Sequence, residues 1–413
     1  MAVGVDVGVR VDVAVPWRLA ETDGSSKATY ELDILDAAGN RVLTLRRTFL
    51  VRLNQGHEGA GYELGVRLEA VNRRGGEVRV AVEMNGVNAP VQENNNDYPQ
   101  FIAGFNERDQ VLFEHRMVSD LSEKKPSLDL KGLAELPMLW FGTTSSYFNA
   151  IVRPVRIEQG TALTVETVKA EALNPSADSM HIRAAIDVKT AEAKLGAGET
   201  AVLPLEVYFG PKLRRVLRSD YYNAFPLGYG KTVLLTSGPC SFCTFTWLVD
   251  ALVWMLQAFH WALRDWGLAI IALVCIVRLL LHPISKKSQV SMSKMAKLAP
   301  ELERIKKKYG DNKEEMQKAM AEFYKTQGFS PFLGCLPMFL QMPIWIALWQ
   351  ALQTSFELRH APFLRFEWAN LTWIRDLSQP DNLIRFGSEF NFLFIHVNGL
   401  NVLPLLMAVV FYI

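Results

Sequence analysis

The run from Gly267 to Leu281 contains a single charged residue, Arg278. Joined to part of the segment before it, this run reaches the ~20 residues that a helix needs to cross a ~30 Å hydrocarbon core. A second apolar stretch, Leu333 to Leu352, carries Pro337 and Pro343. Both are tolerable in a membrane helix whose neighbours satisfy the freed carbonyls. A third begins at Leu400 and reaches only Ile413. These segments predict spans over residues 266–283 and 332–353 and the start of a span over 400–413. About a dozen apolar residues fall short of a bilayer, so the third is expected to be cut.

The first 235 or so residues have the opposite character. TYELDIL and RVLTLRRTFLVRL flank the turn-rich Asp36–Asn40, and YELGVRLEAVN and EVRVAVEMNG flank Arg73–Gly76. Each pair reads as a hairpin. Many short alternating strands with Gly and Asn turns predict an antiparallel sandwich of two extended sheets over residues 1–238. The opening stretch, MAVGVDVGVRVDVAV, alternates with Asp6, Arg10 and Asp12. It has neither the basic start nor the unbroken apolar run of a signal peptide. The chain therefore reads as cut at its start as well, and the truncated form is expected not to work alone. The fold class that follows is a multi-domain membrane protein: an all-β sandwich, then an α-helical transmembrane core with a cytoplasmic helical hairpin.

Residues 245–265 are helical in pattern but not spanning. Asp250, Gln257 and Arg264 recur every seven residues, and Trp247, Trp254 and Trp261 fall elsewhere around the helix with Leu248, Leu252, Phe259 and Leu263. A Trp-rich amphipathic helix beside a span reads as lying in the membrane interface. A buried helix of the soluble domain is the plainer alternative.

Residues 285–330 form a charged hairpin. Met295, Leu298, Leu302, Ile305 and Tyr309 follow the 3-4 spacing of a coiled-coil seam. Gly310-Asp311 turns the chain, and Asn312 with Glu315 makes a capping box. Met316, Met320, Phe323 and Gln327 form the second stripe, which Gly328 and Pro331 close. The hairpin holds eleven basic and six acidic residues, a net of +5, whereas residues 354–401 carry −1. The positive-inside rule then puts the hairpin in the cytoplasm and the sandwich and the 354–399 loop outside, in a periplasm. Overall the formal charge is only +1, which selects no partner. The hairpin's basic residues suit anionic lipid headgroups or ribosomal RNA without choosing between them.

Read alone, Arg278 has two placements. Twelve residues from Trp266 at ~1.5 Å each put it about 18 Å into the bilayer, past the midplane. Its side chain can snorkel to the inner surface, or it can line an aqueous cavity. Burial without either costs roughly 2.5–3.5 kcal/mol. Gln341 lies inside the second span, where a bond between helices is the plain reading.

The remaining motifs are weak. Cys240 and Cys243 have the spacing of a redox or zinc pair, but nothing nearby completes a zinc site, and a structural disulfide or two free thiols is expected. No Gly-rich phosphate loop is present, and the sandwich contains no catalytic His/Glu constellation. Neither cofactor nor enzymatic activity is expected.

GLAIIALVCIVRLLLHPIS, the stretch EEMQKAMAEFYKTQGFSPFLGCLPMFLQMPIWIALWQAL, then SFELRHAPF and WIRDLS resemble the YidC/Oxa membrane insertases. LWFGTTSSYFNAIVRP and VLPLEVYFGPKL resemble the periplasmic domain of the Gram-negative branch, whose general architecture is that of sugar-mutarotase-like β-supersandwich domains. The resemblance implies an inner-membrane insertase and chaperone with a hydrophilic groove open to cytoplasm and lipid. It implies that Arg278 is the basic residue of that groove, with Gln341 a candidate beside it, and that the hairpin receives substrate. Implied partners are newly made membrane proteins, the Sec translocon, the ribosome and membrane lipids. Two features depart from the family pattern. Val274 stands where some members have a hydroxyl residue, and the loop from Gln379 to Asn398 is longer than in the enterobacterial branch. The rival readings are a membrane-anchored periplasmic ligand-binding sensor, which would need a larger cytoplasmic domain, and a secondary transporter, which would show paired repeats.

Overall fold

In the computed structural model the chain divides into two units, Met1–Leu235 and Thr236–Ile413. The structure describes all residues except 1, 6–8, 13–15, 52–55, 91–96, 158–159, 175–181, 235–244, 309–313, 320–330, 367–368, 371–373, 382, 393–394 and 413.

The first unit is a β-sandwich. Its narrower sheet has the order β10 (Ser127–Asp129), β14 (Val165–Ala172), β15 (Ala184–Thr190), β7 (Val78–Asn88), β1 (Ala2–Val5) and β2 (Val9–Asp12). A further strand, β16 (Ala193–Leu195), also pairs with β7. The wider sheet starts with β3 (Arg18–Thr22), β4 (Lys27–Leu35), β5 (Arg41–Val51) and β6 (Glu63–Asn72). It continues through β17 (Thr200–Pro211), β12 (Phe148–Pro154), β11 (Met138–Thr144), β8 (Gln100–Glu107) and β9 (Gln110–Met117). Among the described strands, β13 (Thr161–Ala162), beside β17, runs parallel to its neighbour and the others run antiparallel.

Strand alternation builds the core. Leu43, Leu45, Leu68, Phe141 and Leu203 of the wide sheet meet Val80, Val82, Val168, Ile186 and Val188 of the narrow one. All are buried, each contributing roughly 1.5–3 kcal/mol of transfer free energy. A second core lies where Trp140, Ile151 and Tyr208 pack against Val216, Leu217 and Tyr222. Val216 and Leu217 come from helix α1 (Arg214–Leu217), and Tyr222 from α2 (Asp220–Asn223). Trp140 fits because residue 104 is glycine: a Cβ there would sit 2.2 Å from Trp140 Cε2.

The turn at Asp36–Asn40 closes a hairpin between β4 and β5, as its sequence predicts. The Arg73–Gly76 turn does not close one. Its flanking strands belong to different sheets, β6 lying between β5 and β17 and β7 between β15 and β1. Asn72 explains the change of sheet. Its buried side-chain amide donates to the Gly76 carbonyl within the turn and to the carbonyls of Leu195 and Gly196, and the last two are partners that a two-stranded hairpin would not offer. Alternation alone reports that both strands have an apolar face, not that the two faces oppose each other across a core.

The second unit contains α3 (Thr246–Leu263), α4 (Trp266–Lys308), α5 (residues 314–319), α6 (Pro331–Gln353) and α7 (Val402–Tyr412). Helix α4 runs unbroken for 43 residues, about 65 Å. The expected span and the first arm of the hairpin are thus one helix, through both Pro283 and Pro300. The turn at Gly310-Asp311, the cap at Asn312, and Met320, Phe323 and Gln327 lie outside the described residues, as do Cys240 and Cys243.

Candidate functional site

Helices α3, α4 and α6 pack on one another. From α3 the buried side chains are Val249, Leu252, Val253 and Leu256; from α4, Ala269 and Leu273; from α6, Ala347 and Ala351. Small residues at the contact let helix backbones approach closely, the usual arrangement in lipid.

The reversal from α3 into α4 is tightly determined. Arg264 adopts φ 55°, and its N–H donates to the His260 carbonyl at 2.7 Å. Asp265, buried, then caps α4 by accepting the Leu268 N–H at 2.9 Å, the N-cap role for which Asp is favoured. The His260 ring stacks on Trp266 with centroids 3.7 Å apart.

The segment after α6 folds back onto this corner. Ser355 Oγ donates to the Ala351 carbonyl, and Phe363 packs where Gly267 leaves room. Phe363 N–H donates to Ile374 and Leu377 N–H to Ala361. Asp376 holds the fold-back together, accepting from the His360 N–H, from His360 Nδ1 at 2.9 Å, and from the Ser378 N–H and hydroxyl. Burial pushes the Asp376 carboxyl up, but the bonds from Ser378 and His360 outweigh it, leaving it below the ordinary carboxylate value.

What faces outward is apolar. On α3, Trp247, Trp254 and Trp261 are exposed, Trp261 by 83%. They point away from the packed Val249–Leu256 side. On α4, Ile271, Leu279 and Leu280 are exposed, and every long apolar residue of α7 from Leu405 to Tyr412 is too. Such surfaces are ones that lipid or another apolar partner covers. The stretch Trp266–Pro283 is long and apolar enough to cross a membrane.

Arg278 is exposed on this surface. It lies nine residues from Ala269, about 180° around the helix, so it faces away from the Ala269 contact. Gln341, near the start of the described side chains of α6, is also exposed. Among the described residues no bond joins the two. Met295, Leu298, Leu302 and Ile305 lie along the backbone of α4, but their side chains are outside the description; Met316 of α5 is half-buried. Sequence reasoning did not find Asp265, Gly267 or the Ala347–Ala351 pair. Only the first carried a local signal, an Asp directly before an apolar helical run.

The family model described as 60Kd inner membrane protein matches residues 258–413. Proteins named membrane protein insertase YidC are similar over larger stretches. The one from Shewanella amazonensis is 35% identical over 269 residues, 64% of this chain and 44% of its own length. That from Syntrophobacter fumaroxidans is 34% identical over 221 residues, 53% of this chain and 35% of its own. The chain thus spans between about a third and somewhat under half of the length of these relatives. A galactose mutarotase-related enzyme from Lactobacillus acidophilus is similar at a TM-score of 0.28 and 9% identity, covering 47% of this chain and 71% of its own, too distant a likeness to bear on function. With its helical part matched by the family model and its alignments extending beyond that part, this chain is similar to the membrane protein insertases named YidC.

Proposed function

We propose that this chain is part of a membrane protein insertase and chaperone that helps hydrophobic segments of new proteins enter the inner membrane. The sandwich lies in the periplasm, α3 rests in the outer interface, the first part of α4 and α6 span the bilayer, and the α4–α5 hairpin is cytoplasmic. Substrates are newly made membrane proteins, received directly or beside the Sec translocon. The ribosome and anionic lipids meet the basic hairpin.

The observation that carries this reading is an exposed arginine, Arg278, on an apolar helix inside the stretch that the family model matches. Moving an apolar helix of ~20 residues into lipid is downhill, and its polar flank is the obstacle. A cationic side chain in a wet groove attracts an acidic flank more strongly than it would in bulk water. Gln341 offers a second polar group on α6. No covalent step and no cofactor is required.

The test uses the full-length protein in an insertase-depleted strain. Arg278→Lys keeps much of the activity, while Arg278→Ala and Arg278→Glu lose it, most for substrates with acidic translocated tails. Membrane content of each variant is measured first. Wild-type insertion of acidic-tailed and neutral substrates by Arg278→Ala would remove the groove charge from the mechanism and leave a snorkelling arginine.

A further inference from the structure

The wide sheet ends on β9, and one side of this strand has no neighbour among the described residues. The hairpin that joins it to β8 decides which backbone groups point to that side. Arg108 and Asp109, at φ 52° and 63°, make a two-residue turn between Glu107 and Gln110, the kind that a hydrogen-bonded pair closes. Pairing then alternates. Leu112, Glu114 and Arg116 bond to β8, while Val111, Phe113, His115 and Met117 turn their N–H and C=O groups to the free edge. The Asn106 N–H, opposite Val111, agrees with this register, because it donates away from β9 to the Pro137 carbonyl.

A free edge is a template for a further strand. This one, QVLFEHRM, has no proline, and its one acid and one arginine cancel, the composition that favours strand addition. Three side chains already occupy it. Lys231 Nζ donates to the Val111 carbonyl. Arg116 Nη1 donates to the His115 carbonyl at 2.6 Å. Asp120 accepts the Met117 N–H at 3.1 Å. The position of Lys231 is fixed by its neighbours in the short turn Tyr229–Thr232: Tyr229 and Thr232 are both buried, and Thr232 is bonded to Asn149. Between the caps, Phe113 keeps an N–H and a C=O that meet no partner among the described residues.

This pattern is matched to a second copy of the same strand. Two β9 strands placed antiparallel about Phe113 would exchange both bonds between the two Phe113 residues. The next bonds on either side would run from the His115 N–H to the Val111 carbonyl and from the Val111 N–H to the His115 carbonyl. Those two carbonyls are the ones that Lys231 and Arg116 hold. We infer that Lys231 and Arg116 guard the β9 edge, keeping a second copy of this chain from adding its own β9 there.

The test uses the full chain in detergent and reads its mass by sedimentation equilibrium. Methionine keeps an apolar stem but has no donor, so the Lys231→Met, Arg116→Met double variant uncovers both carbonyls. It should reach twice the wild-type mass at concentrations where the wild type is monomeric, and the amide of Phe113 should exchange with solvent at least tenfold more slowly. His115→Pro, added to the double variant, should return it to the monomer, since that N–H faces the edge and not β8, where proline is tolerated. A double variant of wild-type mass overturns the inference. So does association that survives His115→Pro, which would come from another surface or from an unfolded sandwich. A wild-type chain that already pairs, and that His115→Pro alone separates, overturns it as well, because the caps would then guard nothing.

Discussion

The ring of Phe363 occupies the space that a Cβ on Gly267 would need, its Cδ2 1.9 Å from the ideal Cβ position. The contact joins the loop after α6 to the first turn of α4. Gly267→Ala should therefore destabilise the helical unit by about 1–3 kcal/mol, the usual cost of overpacking. Phe363→Ala, made in the Gly267→Ala background, should recover part of it. Thermal unfolding in detergent would measure both, and an unshifted Gly267→Ala curve would show that the loop yields freely.

Lys212 tests the sandwich. It is buried, and its Nζ donates to the Ser145 carbonyl at 3.0 Å. Burial, opposed by Asp97, brings its pKa down to about 7 from the ordinary 10.5. Between those values the unfolded chain holds more protons than the folded one, so this group makes stability rise with pH. Its penalty is complete below about pH 7 and fades toward pH 10. Wild-type protein should gain stability relative to Lys212→Met across that window. Parallel melting curves from pH 6 to 10 would contradict it.

Asn149 ties the wide sheet to the segment leading out of the sandwich. Its amide donates to Thr232 Oγ1 at 2.7 Å and its carbonyl accepts from Thr144 Oγ1 at 2.6 Å, while the Thr232 hydroxyl is already committed to the Tyr229 carbonyl. Asn149→Ala removes both bonds but leaves Thr144 its bonds to the Ser145 and Phe148 carbonyls and Thr232 its bond to Tyr229, so the loss should be about 1–2 kcal/mol. Asn149→Asp should be no better, because a carboxylate cannot donate to Thr232. If limited proteolysis after residue 229 is no faster in either variant, the tie is not what holds that segment.

The end of α4 at Lys306–Lys308 is expected in the cytoplasm. Lys307 is exposed, so a Lys307→Cys variant offers an accessible thiol. A membrane-impermeant reagent should label it in opened vesicles and not in spheroplasts with an intact membrane. Labelling in intact spheroplasts would invert the topology.

The sandwich and the helical half are legible in the sequence for different reasons. Strand alternation in segments such as ALTVETVKAEA and the length of the Gly267–Leu281 run are properties of neighbouring residues, and each surfaces in the structure as an element. Sheet membership is not local. The pairing of β6 with β17, 129 to 145 residues away across the register, depends on which apolar faces meet. The same limit applies at the site. Arg278 stands out because a charge in an apolar run is costly anywhere, whereas Gly267 is unremarkable until Phe363, 96 positions later, is seen against it.

An unbroken α4 has a mechanical consequence. Held at one end by the Gly267–Phe363 contact, the helix acts as a lever of about 60 Å. A tilt of roughly 5° there would sweep Lys308 through about 5 Å, taking Arg278 along by about a quarter of that distance. Only the hydrogen bonds missing at Pro283 and Pro300 could absorb such a stroke. A displacement of the C-terminal end of α4 would in that geometry reach the arginine as movement, with no chemical signal needed between them.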